Sequence, residues 1–302
     1  MHMMSGHLKR LIVLIGSAPA KLLLAVSFAV FRVSDRFTHG HIAPIFEKTL
    51  RDLTDARVKV SHRTRAGQEV VMTFFAPNYV CRWRADSFSQ KEPDTLTWLE
   101  SNPGLTLWDV GANVGIYSIY YAKACNGEVF AFEPSLFNTR VLAKNIVTNG
   151  VADRVVMLPF ALSDRNASLP LRVLGEVEGG ALNSFGSEFG HDGFSFAPQL
   201  EFTTAGVRSD WLVHSGVAKR PNIIKIDVDG IEHLILSGMQ EILQSHDCKS
   251  VLVEINDDFR TQHDMATKIL ESHGFKLLKK TSTLLIQKDS HFEQTYNQIW
   301  TR

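Results

Sequence analysis

Cysteine is scarce in this chain of 302 residues, and the three present, Cys81, Cys125 and Cys248, lie far apart with no C-x-x-C pair. An odd, scattered set excludes a disulfide framework and a zinc knuckle, and it fits a reducing compartment, so a cytoplasmic location is expected. An excess of either charge is also lacking. Lysine and arginine total 32 and aspartate and glutamate total 32, so nothing in the overall charge draws the molecule to a polyanion, and nucleic acid is not expected as a partner. Internal repeats and low-complexity tracts are absent. What remains is 44% apolar and 21% charged, the composition of an ordinary globular chain able to bury a large core.

Long apolar runs are missing except at residues 11–31, where only Ser17, Ser27 and Lys21 interrupt, with Pro19 near the middle. Three readings fit this segment. It is a helix or helix pair broken at Pro19 that packs on the main domain, a segment that lies on or crosses a membrane, or a cleaved signal with residues 7–10 as its basic end. A spanning helix would have to absorb about 3 kcal/mol for the central lysine. Residues 1–40 are therefore set apart as an N-terminal hydrophobic helical segment.

Residues 41–100 form a second section. Residues 42–53 have the spacing of a short amphipathic helix, and 57–83 alternate as two or three strands around a turn at Ala66-Gly67. Pro93 opens another helix, closed by Asn102-Pro103-Gly104. This section is expected to be a helix and small β cap.

From residue 101 to 290 short apolar runs alternate with helical stretches: strands at 105–110, 128–132, 155–162, 222–228 and 250–255, helices at 116–124, 136–148, 231–243 and 264–272, then strands at 275–279 and 283–287. That rhythm is a parallel sheet wound with helices, an α/β fold. The apolar stripe Ile231, Leu234, Ile235, Gly238, Met239, Ile242 and Leu243 implies core, with no cofactor role. Residues 165–213 are glycine-dotted and carry Phe185, Phe189, Phe194 and Phe196; they are expected to be a lid-like insertion, the aromatics arguing against simple disorder. Residues 291–302 are expected to be a C-terminal tail.

The chemistry gathers where strand 105–110 runs into Asp109-Val-Gly111-Ala-Asn113-Val-Gly115. Gly111 permits backbone angles closed to other residues and close approach of a ligand, and Gly115 allows tight helix packing. The D-x-G-x-x-x-G spacing differs from the dinucleotide fingerprint, because a carboxylate stands where a pyrophosphate cradle wants glycine. Beside a cationic cofactor the same carboxylate is favourable, so Asp109 is expected to take the ammonium of S-adenosylmethionine, and Glu133, ending the next strand, its ribose hydroxyls. Asn113 falls within this loop. The end of the third strand offers Ser163 or Asp164 to the adenine amino group.

A methyl acceptor with an ordinary hydroxyl needs in-line approach and removal of its proton. Asp227, Asp229 and Glu232 cluster after the fourth strand, and Glu254 ends the fifth. Asp227 is the first candidate for base or for contact with cofactor and acceptor, with Lys225 behind it. Asp229 and His233 complete the catalytic set, against the alternatives that Asp229 and Glu232 cap the helix they begin and that His233 is structural. Arg82 and Arg84, flanking Trp83, suit a sugar or anionic substrate, as do Lys225 and Glu254. A divalent ion on neighbouring carboxylates is the less favoured alternative, and no metal ligand is assigned.

Trp108-Asp-Val-Gly-Ala-Asn-Val-Gly115, Phe132-Glu-Pro134 with Asn138 and Asn145, Ala161-Leu-Ser-Asp164, Ile224-Lys-Ile-Asp-Val-Asp-Gly230 with Glu232, and Val253-Glu-Ile255 occur in an order that resembles the FkbM family of methyltransferases over about residues 100–290. The chain departs from the family pattern at Asp229 and Ile231, where glutamate and histidine are frequent, and its histidine is instead His233. The resemblance implies a Rossmann-like class I methyltransferase with a seven-stranded, mostly parallel sheet, S-adenosylmethionine as cofactor, and O-methylation of a sugar, glycan or natural-product hydroxyl. A dinucleotide-dependent oxidoreductase and a non-catalytic cofactor-binding scaffold are the alternatives. Oligomeric state is not legible.

Overall fold

The computed structural model describes residues 6–195, 197–282 and 293–302, which form two compact units, 1–56 and 57–302. The first unit is a helical pair, α1 (Gly6–Phe37) and α2 (Ala43–Thr54). The expected break at Pro19 does not occur. Proline removes one backbone donor and crowds the preceding turn, yet α1 runs through it. The pair is joined by stacking of Phe31 on Phe46, with ring centroids 4.1 Å apart, and by Asp35, which accepts from the Ala43 amide at 3.1 Å.

The second unit opens with an antiparallel hairpin, β1 (Arg57–Arg63) and β2 (Glu69–Phe75), turning at the expected Ala66-Gly67. Three short helices follow: α3 (Tyr79–Asp86), α4 (Phe88–Lys91) and α5 (Pro93–Glu100). The alternation through residue 83 thus ends in a helix. Asn78 enforces the change, its side-chain oxygen accepting from the Cys81 amide at 2.9 Å as an N-cap. Hairpin and helices belong to the same compact unit as the sheet, so the expected cap is no separate domain.

The central sheet contains β3 (Thr106–Val110), β4 (Glu128–Phe132), β5 (Val155–Leu158), β10 (Ile223–Ile226), β11 (Ser250–Asn256), β12 (Lys276–Ser282) and β13 (Thr295–Thr301), in the order β12-β13-β11-β10-β3-β4-β5. The inner strands are parallel and β13 runs antiparallel to both neighbours. This is the Rossmann-like α/β fold of class I methyltransferases. One correction arises near its edge. The residues expected to be a tail supply β13, because Tyr296, Gln298 and Trp300 alternate with Asn297 and Ile299 in the ladder. The strand expected at 283–287 lies outside the described residues.

Strand alternation divides the interior into two cores. Leu107, Ile223 and Leu252 face α5 and α6 (Ile116–Ala124), while Trp108, Val110, Ile224, Ile226 and Val253 face the other side. Between β4 and β5 lies α7 (Leu136–Thr148). The run expected as one strand at 155–162 is interrupted at Pro159, and its second half, β6 (Ala161–Ser163), joins a different sheet. With β7 (Ala167–Val173), β8 (Ser184–Phe185) and β9 (Leu200–Arg208), it makes a four-stranded sheet ordered β6-β9-β7-β8. The 165–213 insertion is thus folded over most of its length, ending in α8 (Ser209–His214).

The helix expected at 231–243 is two, α9 (Glu232–Ser237) and α10 (Gln240–Gln244). The interruption has a packing cause. A β-carbon on Gly238 would stand 2.1 Å from the Ser163 carbonyl oxygen, and Asp210 accepts from the Glu241 and Ile242 amides, capping α10. Helix α11 (Arg260–Ser272) completes the fold.

Candidate active site

A cavity of about 550 Å³ opens at the carboxyl ends of β3, β4, β10 and β11, where open α/β sheets hold their ligands. Gly111 forms its floor with φ of +83°, its amide and that of Ala112 both donating to the Phe132 carbonyl. Glu133 stands in the wall. Its Oε2 accepts from the Asn113 amide at 2.8 Å and its Oε1 from the Ser135 amide at 2.9 Å, which leaves further lone pairs for hydroxyls in the cavity. Burial outweighs those hydrogen bonds and pushes the Glu133 carboxyl up to about 7.

Asp109 is not among the cavity-lining residues. It shares the face of Leu107, opposite the cavity-lining Val110, and its Oδ2 accepts from Ser118 on α6 at 2.5 Å. Lys225, the registered neighbour of Asp109, lies on the same face and is likewise outside the cavity lining, whereas Gly111 and Asp227, two residues further along, line it. Its ammonium, fully buried, is 2.7 Å from Asp227 Oδ2. Burial opposes the charge, but Asp227, Asp109 and Glu92 outweigh it and raise the Lys225 pKa.

Asp227 does line the cavity. Burial disfavours its charge, yet Lys225 and Lys91 outweigh that and hold it at about 2. A carboxylate held so low carries fixed negative charge and is a poor proton acceptor. Asp229 also lines the cavity, in a left-handed backbone with φ of +65°, and its Oδ2 accepts from the Leu182 amide at 2.6 Å. Burial and the neighbouring Asp227 push it up to about 6. Glu254 faces the same space from β11.

Glu232 is structural. Its carboxylate accepts from the Gly230 amide at 3.1 Å and from the Gln262 side chain. His233 is buried against Phe259 outside the cavity, while Ile231 and Ile235 of the same stripe line it. Helical spacing turns residue 233 away when 231 and 235 face inward. Ser163 and Asp164 also miss the lining, which Phe160, Ala161 and Leu162 supply as an apolar wall. Gly115 stays out too, as the helix-packing glycine: a β-carbon there would stand 2.3 Å from Leu142 Cδ1.

Of the two arginines, Arg82 points to solvent and pairs with Asp86, whereas Arg84 lines the cavity and donates from Nε to the Gly179 carbonyl at 2.6 Å. Helical periodicity after Asn78 separates them. Lys91, whose ammonium is 2.7 Å from Glu92 Oε1, reaches the cavity from α4. Nothing in its sequence context singles it out. Among the described residues no group of three or more His, Cys, Asp or Glu side chains is arranged to hold a metal ion.

The insertion roofs this space at residues 178–183, held by polar side chains around the cavity. Asn113 Nδ2 donates to the Gly180 carbonyl at 2.8 Å, and Asn138 donates to the same carbonyl while accepting from the Gly179 amide. Asn145 ties the Phe75 amide of β2 to the Val114 carbonyl. Three asparagines of the family pattern thus act as struts.

Residues 109–277 match the family profile described as the methyltransferase FkbM domain, more than half of the chain. The chain belongs to the FkbM methyltransferase family. The hexuronic acid methyltransferase AglP of Haloferax volcanii is 29% identical over 175 residues, 58% of this chain and 66% of that protein. The methyltransferase sdnD of Sordaria araneosa is 27% identical over 165 residues, 47% of this chain and 62% of that protein. The matches therefore span just under two thirds of these relatives' lengths. A crystal structure of methyltransferase FkbM from Methylobacillus flagellatus KT aligns with a TM-score of 0.45 at 11% identity, covering 74% of this chain and 62% of that one.

Proposed function

We propose that this FkbM-family chain is an S-adenosylmethionine-dependent O-methyltransferase acting on a hydroxyl of a sugar, glycan or natural product. The observation that carries this is the position of Glu133 beside the Gly111 turn, with an apolar wall of Phe160 and Leu162 on one side and the acids Asp227 and Asp229 on the other. An adenine ring fits the apolar wall, ribose hydroxyls fit Glu133, and the positive methionine end fits the carboxylates. S-adenosylmethionine supplies an electrophilic methyl on a cationic sulfur. The residues then have separate tasks. Gly111 admits the ligand to the main chain, Asp227 holds negative charge beside a cation, and Asp229 keeps the roof closed against water.

Trp83 and Arg84 in the cavity lining suit a carbohydrate, one presenting an apolar face and the other a donor. The relative named for a hexuronic acid supports starting from acidic sugars. Separate calorimetric titrations of the full chain with S-adenosylmethionine and NAD test the cofactor. Binding of NAD alone ends the proposal. Formation of S-adenosylhomocysteine across a panel of glycosides and glycosiduronates, with and without chelator, then tests the acceptor.

The first unit supports a second, independent reading, contact with a lipid surface. Ser17–Phe37 has a mean hydropathy of 1.4 and leaves Leu22, Leu23, Leu24 and Val30 exposed. Lys21, Arg32 and Arg36 supply the cations that such a helix sets against anionic headgroups.

A further inference from the structure

Two carboxylates line the cavity from adjacent strands with opposite surroundings. Strands β10 and β11 run parallel with Ile226 beside Val253 as their last registered pair, so Asp227 and Glu254 are the next residues along each strand. Asp227 is bound to Lys225 at 2.7 Å. Glu254 lines the cavity, and among the described residues its carboxylate has no hydrogen bond and no ion pair.

We propose that Glu254 is the general base of the methyl transfer, receiving the acceptor hydroxyl proton while Asp227, committed to Lys225, does not. The inference rests on the O-methyltransferase reading. The largest charged influences on Glu254 are Asp227, Lys91, Glu92 and Asp229. Burial and the Asp227 charge raise its pKa well above the ordinary glutamate value, with Lys91 working in the other direction. Adjacent acids driven apart in this way divide into one that stays charged and one that takes up a proton more readily. In the step, the acceptor oxygen forms a bond to the methyl carbon as the carbon–sulfur bond breaks, and the sulfonium becomes a neutral thioether. The hydroxyl proton passes to a Glu254 carboxylate oxygen, from which it leaves to water through the open end of the cavity.

Three measurements on the full chain test this, two of which need no turnover. In protein carrying carboxyl-labelled glutamate, the carbon resonance missing from Glu254→Gln is expected to titrate with a midpoint well above an ordinary glutamate, and an ordinary midpoint overturns the assignment. Calorimetry with S-adenosylmethionine comes alongside: Glu254→Gln is expected to bind within roughly twofold of the parent. Absence of binding to both proteins instead overturns the O-methyltransferase reading beneath it. With methyl glucuronopyranoside and methyl glucopyranoside as acceptor probes, Glu254→Gln is expected to lose about 100-fold or more in kcat with little change in KM, and to lose the parent's rise of kcat with pH. Partial recovery in Glu254→Asp is expected. A Glu254→Gln enzyme that keeps kcat within roughly threefold, or keeps the pH rise, refutes the role.

Discussion

A β-carbon on Gly111 would stand 1.9 Å from the carbonyl oxygen of Asp227, so the first turn of the cofactor loop and the end of β10 meet backbone to backbone. No side chain fits that gap, and φ of +83° adds strain for any L residue. Gly111→Ala is expected to lower stability by about 2 kcal/mol or more and to abolish S-adenosylmethionine binding. Chemical denaturation and calorimetry together check it. Unchanged values in both would remove Gly111 from the site.

Glu133 gives a pH dependence with a definite sign. Its value is raised by burial to about 7, so it is largely protonated below that pH and a full acceptor above it. Affinity for S-adenosylmethionine should increase as pH rises from 6 to 8. Glu133→Gln should bind about tenfold more weakly at pH 8 and respond little to pH over that interval. Isothermal titration at each pH measures both.

Lys225 and Asp227 form a pair whose halves depend on each other. Asp227 lies below its ordinary 3.8, at about 2, so the stabilisation is complete above 3.8 and is lost as pH falls through 2. Lys225→Met should cost about 1–3 kcal/mol by leaving the half-buried Asp227 carboxylate without its hydrogen-bonded partner. The double variant Lys225→Met with Asp227→Asn should recover part of that loss. Urea titrations resolve the two, and equal stability of single and double variants would count against the coupling.

Asn138 holds the roof by both ends of its amide. Asn138→Ala should leave the Gly179 amide and one partner of the Gly180 carbonyl unmet, costing about 1–3 kcal/mol. Limited proteolysis should then cut within 165–213 faster than in the parent. The same cleavage rate would mean that the other struts suffice.

The exposed face of α1 predicts sedimentation of the full chain with anionic phospholipid vesicles. Leu23→Glu with Leu24→Glu should reduce the bound fraction by about tenfold, since two buried leucines are worth several kcal/mol at an interface. Equal sedimentation of both proteins argues against lipid contact there.

Much of this was legible in the residues, for identifiable reasons. Glycines at 111 and 115 report backbone geometry, and an acid after Phe132 reports a strand end, so the turn and Glu133 stood out. Asp109 and Lys225 lie two residues deeper in their strands than the cavity-lining Gly111 and Asp227, a depth that spacing alone does not report. Arg82 and His233 each stand two positions from a cavity-lining helical neighbour and are turned away from it by the helix period. Lys91 was invisible, since its place in the wall depends on how α4 is carried to the sheet. The single strand expected at 155–162 concealed the change of sheet after Pro159, because both halves are equally apolar.

Strand β13 lies between β12 and β11, so two strands hang on one segment. Loss of residues 295–301 would strip β12 of its one neighbour in the sheet among the described residues and bare the ladder of β11 over Ser250–Asn256. A clip that removes a few per cent of the chain would thus convert a protected interior strand into a sticky edge, the kind on which other molecules add and aggregates grow.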